Sequence, residues 1–167
     1  GEVWKSLYLR TAAAISAKTA KPWDFDVGSI FAHVDAFLQR CSDLLEVCQA
    51  QRQFAPTAPL PVFGGTRGPE ITKSILDIQE SFQRLVANLR GLTYNILDVK
   101  ATRWHDDFNT FKSGVKDLEV MLNNVIQMAC DCQPCVTARA QLLEAFELMA
   151  KREPVRRFVE KKTAEFY

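Results

Sequence analysis

The sequence contains no long apolar run and no excess of charge of one sign. No stretch approaches the roughly 20 consecutive apolar residues that a membrane-spanning helix needs, and the first ten residues lack the basic and apolar regions of a secretory signal peptide. Lysine and arginine number 21 against 20 aspartates and glutamates. We therefore expect a soluble, unsecreted chain whose partners include neither nucleic acid nor a membrane surface.

Cysteine and histidine are too few, and too scattered, for a clear metal or disulfide framework. The five cysteines are an odd number and lack the spacing of a secreted disulfide scaffold, which favours a reducing compartment. Cys130, Cys132 and Cys135 form a metal-like cluster, but zinc needs a fourth ligand and His33 and His105 lie in other segments. We interpret the three as reduced thiols at a helix junction, with a structural zinc site or a redox switch as alternatives.

Catalytic motifs are also missing. The segment Gly64-Gly65-Thr66-Arg67-Gly68 resembles a phosphate loop, but it continues into Pro69-Glu70, where a Walker loop has lysine and then serine or threonine. We interpret it as a turn with positive φ values. The neighbours in His105-Asp106-Asp107 do not face one another on a helix, so they predict an exposed polar face. The stretch from Lys151-Arg152 to Lys161-Lys162 predicts a basic surface that is solvated, with contact to a partner as the alternative. No catalytic residue, cofactor, metal or small-molecule substrate is predicted.

What the sequence does contain is apolar residues at spacings of three and four, which place them on one side of an α-helix. This pattern predicts an all-α fold. We expect helices over residues 1–19, from a cap at Asp26 to about Gln51, from Pro69 to Gly91, over 94–99, from Trp104 to about Cys130, from Val136 to Arg152, and from Pro154 onward.

The apolar stripes of the long helices are predicted to form the core. The seam of the fifth predicted helix alternates strictly between steps of four and three, as in a coiled coil or an antiparallel bundle; it consists of Trp104, Phe108, Phe111, Val115, Leu118, Leu122 and Val125. The stripe of the second comprises Ile30, Val34, Phe37, Cys41, Leu44, Leu45 and Cys48. That of the third comprises Ile71, Ile75, Ile78, Phe82, Leu85 and Leu89.

Between these helices, residues 54–69 hold four prolines and three glycines and predict a long connection without regular structure. The predicted organisation is the end of a preceding helix at 1–22, a helical bundle at 23–153 with its loop at 52–69, and the start of another helix at 154–167. We expect elongated antiparallel bundles that form part of a rod. Because the chain opens without methionine on helical residues, we expect it to be a piece of a longer polypeptide.

Five motifs, in order, resemble the N-terminal tail region 1 of dynein heavy chains, over nearly the whole chain from about Trp4. They are Trp23-Asp24-Phe25 with Ile30-Phe31 and Asp35-Ala36-Phe37-Leu38-Gln39-Arg40; Phe63-Gly64-Gly65-Thr66-Arg67-Gly68; Leu97-Asp98 with Trp104-His105-Asp106-Asp107-Phe108 and Phe111; Leu142-Leu143-Glu144-Ala145-Phe146; and Lys151-Arg152. Trp104 stands where phenylalanine is frequent in that family, and the three-cysteine junction is not one of its signatures. The intact glycine turn and the Trp-Asp-Phe start look more like the axonemal type than the cytoplasmic one.

The resemblance implies a non-catalytic tail segment of a motor whose ATPase modules and microtubule-binding stalk lie far downstream. It implies that the partners are other dynein heavy chains, dynein intermediate and light chains, and docking proteins on axonemal doublet microtubules. The implied location is the cytoskeleton of a cilium or flagellum. Two other hypotheses remain: a freestanding helical adaptor, and a small helical metal-binding domain that uses the cysteine cluster.

Overall fold

In the computed structural model, every regular element among the described residues is an α-helix, which confirms the all-α prediction. The structure describes residues 2–17, 27–55, 60, 62–63, 65–133, 135–147 and 149–165. Within them lie α1 (Glu2–Ser16), α2 (Val27–Phe54), α3 (Gly68–Arg90), α4 (Arg103–Asp131), α5 (Val136–Glu147) and α6 (Glu153–Ala164). None of these helices combines the length and the apolar character needed to cross a membrane.

Prolines begin two of the helices as predicted. Pro69 and Pro154 each occupy the first turn of their helix, α3 and α6, where a missing N–H costs nothing because that group would have no helical partner. Gly91 ends α3, and its N–H donates to the Ala87 carbonyl oxygen. The predicted cap at Asp26 and the motif Trp23-Asp24-Phe25 lie outside the described residues.

The short helix predicted over residues 94–99 is wrong, because this segment forms turns. The side chain of Asn95 accepts a hydrogen bond from the Leu97 N–H at 3.1 Å, and that of Asp98 accepts one from the Lys100 N–H at 2.9 Å. Asparagine and aspartate compete in this way with helical backbone hydrogen bonds, and here the local turns prevail.

The helix predicted to reach Arg152 is also shorter than expected. α5 ends at Glu147, and turns follow it, with the N–H of Met149 donating to the Phe146 carbonyl oxygen at 2.9 Å. The N–H groups of Lys151 and Arg152 donate to the side-chain oxygen of Gln53, and that of Lys151 also donates to the carbonyl oxygen of Met149 in the turn. A side chain distant in sequence therefore replaces the last turn of the helix.

The chain divides into two compact units, of which the second contains residues 45–93 and 103–167. In this unit α3 packs antiparallel on α4: Phe82 meets Phe111 in mid-helix, and Arg67 beside the start of α3 meets Met128 near the end of α4. α5 and α6 pack on α4 and on each other. The predicted seam of α4 is buried along its whole length, and in α3 the buried set includes Val86, whereas Leu85 and Leu89 are only half-buried.

The first unit contains residues 1–44 and 94–102. α1 and α2 run antiparallel in it, because Lys5 pairs with Asp35 at 3.5 Å and Tyr8 meets Phe31 edge to face, with ring centroids 4.8 Å apart. None of the described hydrophobic side chains of this unit is fully buried. The unit therefore lacks the dry interior that the second unit has.

The apolar stripe of α2 is not core, contrary to the prediction. Phe37 is 42% exposed, Leu45 is 63% exposed, Cys48 is exposed, and the other members are only partly covered. Among the described side chains of this helix, the buried ones lie elsewhere around it, at Arg40, Ala50, Gln53 and Phe54. Periodicity identified the apolar side of the helix correctly but could not show whether another element covers it.

Candidate functional site

The predicted motif residues lie in three local arrangements: a glycine turn before α3, an ion-pair cluster at Arg152, and a clip formed by Arg40. The second unit contains the first two, and the first unit contains the third. The aromatic motif residues lie on α2, α4 and α5; they are Phe31, Phe37, Trp104, Phe108, Phe111 and Phe146. Gly64 lies outside the described residues.

The glycine turn has the positive φ that the sequence predicts. Gly65 has a φ of 85°, a left-handed conformation that glycine adopts without steric cost. The N–H of Gly68 donates to the Gly65 carbonyl oxygen at 3.2 Å, which closes the turn at the start of α3. The turn thus redirects the backbone into the start of α3.

Close backbone approach explains the second glycine of the turn. A Cβ atom at Gly68 would overlap the carbonyl oxygen of Phe63 and lie 2.9 Å from its carbonyl carbon. Phe63 is buried, and its ring stacks on that of Phe146 in α5, with centroids 5.2 Å apart and planes inclined by 30°. Gly68 therefore allows the loop to insert an aromatic anchor against α5.

We expect Gly68→Ala to lower the free energy of unfolding by about 1–3 kcal/mol, because the added methyl group forces the Phe63 backbone away from the turn. Gly91→Ala is the matched control. Its Cβ would find no atom closer than 3.5 Å and its φ is −76°, so a change within about 0.5 kcal/mol is expected. Urea unfolding followed by circular dichroism measures both, and equal losses would contradict the assigned role of Gly68.

Arg67 extends the turn toward the end of α4. Its guanidinium donates two hydrogen bonds to the Glu70 carboxylate, at 2.7 and 2.8 Å, and it also contacts the Cys132 Sγ at 3.5 Å and the Met128 Sδ at 3.1 Å. The hydrogen bonds from Arg67 hold the pKa of Glu70 below its usual value, since they favour the charged carboxylate. Both side chains are exposed, so this contact orients the turn more than it stabilises it.

Arg152 is the centre of a cluster that joins three helices of the second unit. Its Nε donates to Glu119 Oε1 of α4 at 2.5 Å, and its Nη2 donates to Glu46 Oε1 of α2 at 2.6 Å. The Oε1 of Gln53 accepts the backbone N–H groups of Lys151 and Arg152, at 2.7 and 2.8 Å. One arginine, two carboxylates and one amide thus hold the end of α2 to the junction between α5 and α6.

This cluster is largely sheltered from solvent, and it contains one positive charge, on Arg152, and two negative charges, on Glu46 and Glu119. The side chains of Arg152 and Glu119 are 14% and 7% exposed, while Nη1 of Arg152 and Nε2 of Gln53 are buried without a hydrogen-bond partner in the described part of the chain. Burial alone would lower the pKa of Arg152, but the hydrogen bonds to Glu46 and Glu119 outweigh it and raise that pKa. The guanidinium is therefore permanently charged.

The prediction that Arg152 belongs to a solvated basic surface is wrong, and the sequence analysis missed its partners. Glu119 directly follows Leu118 of the seam and lies one helical turn after Val115. A glutamate beside a buried stripe was therefore the sequence feature that could have indicated a buried ion pair. Nothing local in the sequence singles out Glu46 or Gln53, because their role depends on the approach of residues about 100 positions away.

Arg40 forms a second arginine contact, in the first unit. Although α2 is largely exposed there, this side chain is buried and donates hydrogen bonds to the carbonyl oxygens of Ile96, Asp98 and Ala101, the last two at 3.3 and 3.4 Å. These carbonyl groups lie in turns outside the helices, and the guanidinium supplies hydrogen bonds that no helical N–H provides there. Arg40 thus fastens the segment 94–102 to α2.

The aromatic motif residues have different environments. Trp104 and Phe108 are buried and stacked at the start of α4, with centroids 5.6 Å apart, and Phe111 packs against Phe82. Phe31 contacts Tyr8 of α1, whereas Phe37 is 42% exposed. The neighbouring His105 and Asp106 are exposed, as the sequence predicted for this polar face.

The three cysteines of the metal-like cluster also differ from one another. Cys130 lies buried in the last turn of α4, whereas Cys132 and Cys135 are exposed in and beyond the junction. Among the residues that the structure describes, no three histidine, cysteine, aspartate or glutamate side chains are placed to hold a metal ion. Burial, reinforced by the neighbouring charge of Asp131, raises the pKa of the Cys130 thiol.

We expect maleimide at pH 7.5 to label Cys132 and Cys135 at least tenfold faster than Cys130, because the thiolate is the reactive species. Because burial raises the pKa of the Cys130 thiol, Cys130 should react appreciably only at higher pH or on unfolding. Mass spectrometry of the labelled peptides measures each rate. Equal labelling of all three cysteines in the folded chain would contradict this assignment.

Proteins of similar sequence identify the family of the chain. A family model described as the N-terminal region 1 of dynein heavy chains matches residues 1–167. The chain is 72% identical over 167 residues to the dynein-1-beta heavy chain of the flagellar inner arm I1 complex of Chlamydomonas reinhardtii, which covers all of this chain and 4% of that relative. It is 40% identical over 127 residues to the human dynein axonemal heavy chain 2, covering 73% of this chain and 3% of the relative.

A third relative, the flagellar outer-arm dynein beta chain of Chlamydomonas reinhardtii, is 31% identical over 160 residues, covering 95% of this chain and 4% of its own length. The chain thus spans about one twenty-fifth of the dynein heavy chains that it matches. These relatives are flagellar or axonemal, which confirms the preference for the axonemal type and the expected location in the axoneme of a cilium or flagellum. The chain belongs to the dynein heavy chain family, as an N-terminal region 1 of the axonemal type.

Proposed function

We propose that this segment is a non-catalytic part of the tail of an axonemal dynein heavy chain. In this role it associates heavy chains, binds intermediate and light chains, and helps to fix the dynein arm to the doublet microtubule. The observation that carries the proposal is the match of residues 1–167 to the N-terminal region of the family. The ATPase modules that drive the motor then lie elsewhere in the heavy chain.

The use of the buried polar side chains supports a mechanical role. Arg40, Gln53 and Glu119 are the buried polar residues of the described chain, and each bonds backbone or side-chain groups of another segment. Polar groups that fasten helices to one another suit a segment that carries load, because force is then shared between packed side chains and continuous helical hydrogen bonds.

Deletion of this region from the full-length heavy chain separates the tail role from catalysis. A tagged heavy chain is purified from ciliary extract, and the bound intermediate and light chains are quantified by mass spectrometry. We expect the deletion to remove these subunits and to leave the basal ATPase rate per heavy chain unchanged. Retention of the subunits, or loss of the basal ATPase with the motor modules still folded, would refute the proposal.

A further inference from the structure

Three buried polar atoms of the second unit have no hydrogen-bond partner among the residues that the structure describes. They are Nη1 of Arg152, Nε2 of Gln53 and Oδ1 of Asn123. An unpaired polar atom in the interior costs free energy, because burial has taken away the hydrogen bonds that it makes with bulk solvent. Proteins rarely tolerate several such atoms in one place, so we expect a partner that all three share.

The contacts of the Arg152 cluster bring these atoms to one junction. Gln53 accepts the backbone N–H groups of Lys151 and Arg152, so its amide lies against the backbone that carries the Arg152 side chain. The Nε of Arg152 donates to Glu119 Oε1 at 2.5 Å. Asn123 lies one helical turn after Glu119, on the same face of α4. Two donors and one acceptor therefore lie around the place where the end of α2, α4 and the start of α6 meet.

The mixture of donors and an acceptor determines which ligand fits this junction. The unpaired N–H groups of Arg152 and Gln53 need an acceptor, whereas Oδ1 of Asn123 needs a donor. A metal cation accepts no hydrogen bond, and an anion such as chloride donates none. An anion would also be repelled by the carboxylates of Glu46 and Glu119, which outnumber the one guanidinium. Water accepts and donates at once, and internal waters typically bond otherwise unpaired groups in this way.

We propose that one buried water molecule is bound at this junction. It accepts hydrogen bonds from Nη1 of Arg152 and Nε2 of Gln53, and it donates one to Oδ1 of Asn123. Its second O–H is left for a carboxylate oxygen of the cluster. The water thus completes the hydrogen bonding of the Arg152 cluster and ties α2, α4 and the start of α6 together. This site does not depend on the proposed tail role.

A high-resolution map of the full-length heavy chain, obtained by electron cryomicroscopy, tests the site directly. We expect a single density peak about 2.7–3.2 Å from Nη1 of Arg152, Nε2 of Gln53 and Oδ1 of Asn123. A map that shows ordered waters elsewhere in the interior of this region but none here overturns the proposal. A side chain from another segment in this place overturns it as well.

The substitution Asn123→Leu tests the water in solution, because the direction of its effect differs with and without the water. Leucine is close to asparagine in size but accepts no hydrogen bond, so it displaces the water and leaves the N–H groups of Arg152 and Gln53 unpaired. We therefore expect the urea midpoint for unfolding of this region to fall by about 0.5 M or more. Without a bound water, the substitution only removes an unpaired acceptor. A midpoint that is unchanged or higher therefore overturns the proposal.

Asn124→Leu is the matched control, since it makes the same substitution at the neighbouring exposed position of α4. Its midpoint should change by less than about 0.2 M. Brief proteolysis of the full-length heavy chain at each urea concentration, with mass spectrometry of peptides from residues 103–131, measures both midpoints. Equal falls in the two variants would count against the water. Neither measurement uses subunit binding, so a failure of the proposed function is recognised separately.

Discussion

Replacing Arg152 with alanine is expected to lower the free energy of unfolding of the chain by about 3–5 kcal/mol. The substitution leaves Glu119, whose side chain is 7% exposed, without the cation that compensates its burial. It also releases Glu46, which the Nη2 of Arg152 contacts at 2.6 Å. Urea unfolding followed by circular dichroism measures the change, and an unaltered slope with denaturant indicates that the folded state is otherwise preserved.

Arg156 provides the control for this variant. It lies one turn further along α6 and pairs with Glu160 at 3.7 Å, with both side chains more than half exposed. Solvent screens such a pair, so Arg156→Ala should cost less than about 1 kcal/mol. Adding Glu119→Gln to Arg152→Ala is expected to recover part of the loss, since a neutral amide is cheaper to bury than an unpaired carboxylate. If Arg152→Ala costs no more than Arg156→Ala, the cluster does not stabilise the fold.

Phe146→Ala should destabilise the chain to a similar extent, by about 3–5 kcal/mol. This ring is fully buried in α5 and stacks on Phe63, so its removal opens a cavity and takes away the surface on which the loop before α3 rests. We also expect the glycine turn to become more mobile, which hydrogen exchange of the Gly68 N–H would report through faster exchange.

Phe37→Ala is the matched control, because Phe37 is also a family motif phenylalanine on a helix but is 42% exposed. In the 167-residue chain its loss should cost about 1 kcal/mol or less, since much of the ring is already in water. Equal costs for Phe37→Ala and Phe146→Ala in the 167-residue chain would contradict the greater burial of Phe146.

Sequence reasoning succeeded where structure depends on the side chain's own pattern or on local backbone chemistry. The strict four-and-three steps of α4 predict a buried seam, and every member from Trp104 to Val125 is buried. Pro69 and Pro154 mark helix starts because their fixed φ and missing N–H suit only the first turn. The glycine turn predicts a positive φ, which Gly65 adopts.

Sequence reasoning failed where the outcome depends on which distant segment arrives. α2 has an apolar pattern like that of α4 but is only partly covered along it, since no periodicity encodes the presence of a neighbour. The last predicted turn of α5 is lost because Gln53 takes the N–H groups of Lys151 and Arg152. Residues 94–99 form turns, which Arg40 fastens from α2.

The amino-acid sequence by itself determined the helical class, the position of most helix starts, the α4 seam and the family. These depend on interactions within a few residues, or on a repeat along one helix, and are therefore legible in the order of residues. Tertiary structure alone decided that Arg152 is the centre of a buried cluster, that Arg40 binds the turns at 94–102, and that the apolar stripe of α2 is only partly covered. The reason is physical: the free energy of a charge or an apolar side chain depends on whether water or another segment surrounds it, and that is determined only when the helices pack.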